Sequence, residues 1–218
     1  WIVFCSVALA AAWLGQHSPW FAKEPRPIAS DATNPAAPYL LPLLAVVGTG
    51  LFTGLFVHGF DYLYPARVLA ALLVLAWFRD DYVRDFRDQQ RGRPFLSWSA
   101  VGIGVGVYVM WALASWLTLD SLGSGPPEGL AELSPPLSLA WVIARVCGSV
   151  VVAPIVEELA FRGFLLRRII ASDFSKVPFD RWSWPAASFS SLAFAFIHQQ
   201  WVAGFLAGML FAYAQRRR

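Results

Sequence analysis

The sequence predicts an all-α fold: a polytopic transmembrane helical bundle of about six to seven membrane segments. Three observations lead there. Hydrophobic residues make up 57% of the 218 and charged residues only 14%, against roughly 45–50% and about 25% in soluble domains. The mean hydropathy is +0.53. The apolar residues also fall into runs near the roughly 20 that a spanning helix needs, separated by polar connectors.

The elements follow in order. Residues 1–15 form a partial span and lead into a Pro-rich connector, so 1–38 reads as an N-terminal segment apart from a main domain at 39–218. Residues 39–57 are a span, and 62–78 a shorter one in which Arg67 can snorkel to the interface. The connector 79–94 (RDDYVRDFRDQQRGRP) is the most charged stretch and is expected as a loop, followed by a span at 97–117. A loop at 120–136 has three acidic residues and no basic one. A long apolar segment then runs from Leu137 to Leu166, and shorter ones at 185–198 and 201–214 finish the chain. The opening WIVFCSVALAAAWLG has neither Met nor a basic n-region, which fits a piece of a longer protein better than a signal peptide. The close on FAYAQRRR suggests truncation there too.

Arg79, Arg84, Arg87, Arg91 and Arg93 place the 79–94 loop on the cytoplasmic side, and the parity brings Arg167, Arg168, Lys176, Arg181 and the terminal arginines to that side. These flanks account for the pI of about 9.1. They form no stripe with interleaved aromatics, so nucleic acid is not expected as a partner. Tryptophans such as Trp20, Trp77, Trp98, Trp182 and Trp184 lie near span ends, as in aromatic belts. GIGVGVYV at 102–109 lies inside a span, and GFLAG carries Gly204 and Gly208; both read as close helix packing rather than phosphate loops. Cys5 and Cys147 have no partner spacing and read as small packed hydrophobes. Ser188, Ser190 and Ser191 read as hydroxyls bonded back to their own helix rather than nucleophiles.

The exception to the apolar pattern is VEELAFRGF at 156–164. A charge at mid-membrane costs about 2.5–3.5 kcal/mol on insertion scales, so Glu157, Glu158 and Arg162 need compensation. Positions four apart share a helix face, which pairs Glu158 with Arg162 and leaves Glu157 without a partner on its own helix. Of the three histidines, His17 lies in a polar connector and His58 beside Asp61 at a span end. His198 closes the uncharged run SSLAFAFIH and is the natural companion for Glu157.

Glu157-Glu158-x-x-x-Arg162, followed by Phe194-x-x-x-His198, resembles the first two motifs of the CAAX protease and bacteriocin-processing (ABI) family of intramembrane endopeptidases. The surrounding sequence is similar to its exosortase-associated subgroup. The resemblance implies that Glu157 activates a water, that His198 orients it, that Glu158 and Arg162 fix the motif helix, and that Phe194 shapes the site. It also implies a bacterial inner-membrane location, a lipid bilayer environment, a membrane-associated protein or peptide substrate, and an exosortase domain or partner. The family has been described both as zinc-dependent and as metal-independent. Two glutamates and one histidine are a thin ligand set for zinc, which favours no cofactor. The family's third motif, a His and an Asn or Asp four residues apart that stabilise the oxyanion, has no counterpart after His198 and is expected past Arg218; without it this fragment is expected to be impaired. A second function class stays open, a non-enzymatic immunity factor, accessory factor or transporter in which the same residues pair only to hold helices together.

Overall fold

A computed structural model describes residues 34–57, 59–89, 98–118 and 127–217, and the compact unit begins at Pro35. All regular structure among the described residues is helical: α1 (Ala37–Gly54), α2 (Tyr64–Trp77), α3 (Arg79–Gln89), α4 (Trp98–Thr118), α5 (Pro135–Ile170), α6 (Trp184–Phe196) and α7 (Trp201–Arg217). Short 3₁₀ turns occupy Glu128–Leu130 and Phe174–Lys176. Cys5, His17, Trp20 and His58 lie outside the described residues.

The bundle is apolar outside and small inside. Leu44, Phe52, Leu55, Leu73, Leu117, Val150 and Phe189 are exposed, whereas much of the core is Ala and Val, including Ala71, Val152, Val156, Ala160, Ala187, Ala195 and Ala207. Contiguous apolar exterior on this scale marks a surface that meets something other than water. Among the described residues two helices, α1 and α5, are long and apolar enough to cross a membrane, while α2 and Val101–Leu117 of α4 are apolar but shorter. Fewer helices therefore pass the length test than the six to seven segments expected.

The charged 79–94 stretch contains a helix where a loop was expected. Asp80 and Asp81 sit in the first turn of α3 and Arg87 in the last, matching the helix dipole, and Arg84 pairs with Asp81 at 2.7 Å. Two tyrosines dock α3 on α1. Pro42, inside α1, has no N–H for the carbonyl of Pro38 four residues back; the Tyr82 hydroxyl donates to that carbonyl at 2.5 Å instead. Burial, then Asp81 and Tyr39, push the Tyr82 phenol up to about 12, so it remains a donor across the working pH range. From α1, the Tyr39 hydroxyl donates to Asp85 of α3.

Other charges find partners within the bundle. Arg67 pairs with Asp61 at 2.8 Å. Arg167, expected as a cytoplasmic flank, is only 4% exposed. Its guanidinium donates to the carbonyls of Gly163, Ser175 and Val177 and lies 4.0 Å from the Phe179 ring centroid, tying the connector after α5 to the helix. Cys147 is exposed on α5, not packed. A Cβ built on Gly102, Gly104 or Gly106 would meet nothing within 4 Å, so this stripe makes no close helix contact among the described residues.

Candidate active site

Helix α5 carries the first motif, and its backbone is not a uniform α-helix. It widens to π geometry at Gly148–Val152, just before Pro154 removes one N–H from the ladder, and again at Leu159–Leu166, immediately after Glu158. Such segments are rare and concentrate at functional sites. Carbonyls in the second π stretch are met from outside the ladder. Ser190 of α6 donates to the Phe161 carbonyl at 2.8 Å, and Arg167 to that of Gly163 at 3.1 Å. The Ser190 hydroxyl therefore bridges two helices instead of bonding back to its own.

The second motif sits at the end of a short helix. Ser183 caps α6 through the Ala186 N–H at 3.5 Å and Pro185 occupies the first turn, so the sequence Ser-Trp-Pro sets the start. The helix stops at Phe196, and His198 lies in the turn before α7, its own N–H bonded to the Ala195 carbonyl. Phe161 lies beside Phe194, and four residues, about one turn, separate Glu157 from the first and His198 from the second. The two helices run antiparallel from a common end, as Leu166 beside Ala186 and Ala187, then Phe161 beside Ser190 and Phe194, attest. A helix too short to cross thus brings His198 level with Glu157.

At that level Glu157 lies within coulombic range of the His198 ring, of Arg162 and of Glu158. Glu158 Oε1 is 3.2 Å from Arg162 Nη1, the pairing read from the four-residue spacing. Arg162 is only 3% exposed. Its Nη2 donates to the Gly208 carbonyl of α7 at 3.2 Å, and its guanidinium lies 4.4 Å from the Phe194 ring centroid, 5.3 Å from that of Phe211 and 6.0 Å from that of Phe161. A desolvated cation among aromatic faces gains about 2 kcal/mol or more, which offsets part of the burial.

Phe194 joins the two motifs. It stacks edge-on against Phe161 at 5.4 Å and lies tilted over His198 at 4.4 Å. Its carbonyl is 2.8 Å from His198 Nδ1. A carbonyl can only accept, so this bond puts a proton on Nδ1, and in the neutral ring Nε2 then carries the lone pair. Beside His198, Leu192, Ala195, Phe196 and Trp201 line an apolar cavity of about 440 Å³.

Close packing of α6 on α7 holds this arrangement. Cβ atoms built on Gly204 and Gly208 would fall 3.0 Å from Ala195 Cα and 2.8 Å from Ser191 Cβ. The two glycines expected to allow close approach therefore do so. Trp111 of α4, which sequence reasoning did not single out, lies 5.4 Å from the His198 ring. Its only signal was its place among many span tryptophans.

Among the described residues no three His, Cys, Asp or Glu side chains converge on a metal-sized position. With Glu158 held by Arg162, the donors in reach are Glu157 and His198 Nε2. A catalytic zinc takes three protein ligands, so the described residues do not fit that ion.

Residues 139–218 match the family model described as type II CAAX prenyl endopeptidase Rce1-like. Both motifs fall inside the matched segment. The match supports the CAAX protease family and a hydrolase of that general kind, and together with the apolar helices it supports an integral membrane protein. No curated protein and no solved structure matches the chain.

Proposed function

We propose that this chain is an intramembrane endopeptidase that hydrolyses a peptide bond of a membrane-associated protein, using a water activated between Glu157 and His198. The observation that carries the reading is Phe194, which packs on Phe161 of the Glu157 helix while its carbonyl holds His198 Nδ1, setting the second motif against the first. In this mechanism His198 Nε2 accepts a hydrogen bond from the water and orients it. Glu157 takes the other proton as the water oxygen adds to the scissile carbonyl carbon. Collapse of the tetrahedral intermediate breaks the C–N bond, and Glu157 returns the proton to the leaving amine. Glu158 and Arg162 hold the motif helix in register, and Phe194 keeps the imidazole in its tautomer. The setting we infer is a bacterial inner membrane, and the resemblance to the exosortase-associated subgroup supports that reading.

The test is Glu157→Gln in the full chain reconstituted in bilayers. General-base removal lowers turnover by about 10²–10⁴-fold, with yield and unfolding midpoint unchanged. A variant that keeps wild-type biological function would instead favour the non-enzymatic class.

A further inference from the structure

His198 sits past the end of α6 at Phe196, in a four-residue connection to α7. Two hydrogen bonds, to the Phe194 and Ala195 carbonyls, and the Phe194 ring, all from its own helix, restrain it. Two further contacts to this connection come from α4, outside the segment that matches the family model. The Trp111 indole lies 5.4 Å from the imidazole, tilted by 46°. One helical turn further along α4, Ser115 Oγ accepts from Gln200 Nε2 at 3.2 Å. Positions 111 and 115 share a face, so a single uncharged helix grips both ends of the short stretch from His198 to Gln200.

We propose that Trp111 is a positioning residue of the site, its indole keeping the His198 imidazole aimed at Glu157, with the Ser115–Gln200 bond holding the rest of the turn against α4. This rests on the reading of Glu157 and His198 as the hydrolytic pair. Trp111 acts on the reaction only through the imidazole. Its loss therefore lowers kcat and leaves KM nearly unchanged, and any residue with an aromatic face can stand in for it. A displacement of the reacting group by about 1 Å is enough for a loss on the order of 10²-fold.

The experiment compares Trp111→Leu, which keeps apolar bulk without a ring, with Trp111→Phe, which keeps a ring. Both are made in the full chain in bilayers. Turnover is measured on a quenched-fluorophore peptide selected for cleavage by the wild-type chain. In parallel, ¹⁵N spectra are recorded with labelled histidine in a His17→Ala, His58→Ala background, where His198 is the single imidazole. The expected result is a kcat lowered about 10–100-fold in Trp111→Leu, KM within about twofold of wild type, mixed tautomers in place of a single Nδ1–H form, and recovery of both readouts in Trp111→Phe. Wild-type kcat and a single tautomer in Trp111→Leu overturn the proposal, as does equal loss in the Leu and Phe variants. Glu157→Gln, run beside them, separates the two ideas. Its retained turnover sinks the hydrolytic reading while the tautomer measurement still decides whether Trp111 positions the ring.

Discussion

Arg162→Leu destabilises the folded chain by about 1.5–3 kcal/mol, because it removes a buried guanidinium and leaves the Gly208 carbonyl without its charged donor, whereas Glu158 is half-exposed and adds little. Glu158 then loses its ion-pair partner, and Glu157 loses a neighbouring positive charge. Arg162→Lys recovers only part of this. An ammonium can approach Glu158 but cannot at once donate to Gly208 and spread a flat cation over Phe194 and Phe211. Unfolding by graded detergent titration measures both variants. An Arg162→Leu chain within about 1 kcal/mol of wild type would show that Arg162 is not what holds α5 to α7.

Gly208→Ala separates α6 from α7. In an ordinary helix interior the exchange stabilises by about 0.5–1 kcal/mol. Here the new methyl would stand 2.8 Å from Ser191 Cβ and 2.9 Å from Ser191 Cα. The Cα is backbone and cannot rotate away, so overpacking of about 1–3 kcal/mol wins. The Gly208 carbonyl also moves off Arg162, which spreads the damage to the first motif. Gly204→Ala meets Ala195 Cα at 3.0 Å and is the milder variant. Adding Ser191→Gly to Gly208→Ala restores part of the loss, since it removes the Cβ and Oγ contacts but not the Cα one. A double-mutant cycle read from the same detergent titration checks the sign of this coupling.

Much of the site was legible because its rules are local. The pairing of Glu158 with Arg162 follows from helical spacing, and the isolation of Glu157 follows from the same geometry. Gly204 and Gly208 announced a close crossing, and the complementary stripe was also written in the sequence, as Ala187, Ser191 and Ala195 spaced by four on α6. Less legible was whatever depends on a partner distant in sequence. Nothing local distinguishes Gly208, which meets a helix, from Gly104, which meets none. Arg167 looks like a membrane flank until Phe174 and Phe179 fold back over it. Ser190 looks self-bonded until a widened helix offers it the Phe161 carbonyl. Helix α3 reads as a loop by its charge density, although its acidic start and basic end carry helix polarity. Trp111 stayed hidden because its role comes from meeting a ring 87 positions away.

The π stretch at Leu159–Leu166 also bears on how the protein is made. A ribosome delivers the motif helix before Ser190 exists, so the Phe161 carbonyl lacks its outside donor during early synthesis. Tightening that stretch to ordinary spacing by one residue would turn the carboxylates by about 100° relative to everything after Leu166. Docking of α6 is therefore expected to complete the alignment of the two carboxylates with His198. Ser190→Ala is expected to reproduce the loosened state in the finished protein, seen as faster amide hydrogen exchange across residues 159–166 than in wild type. Equal exchange rates there would mean that the widened turn holds itself.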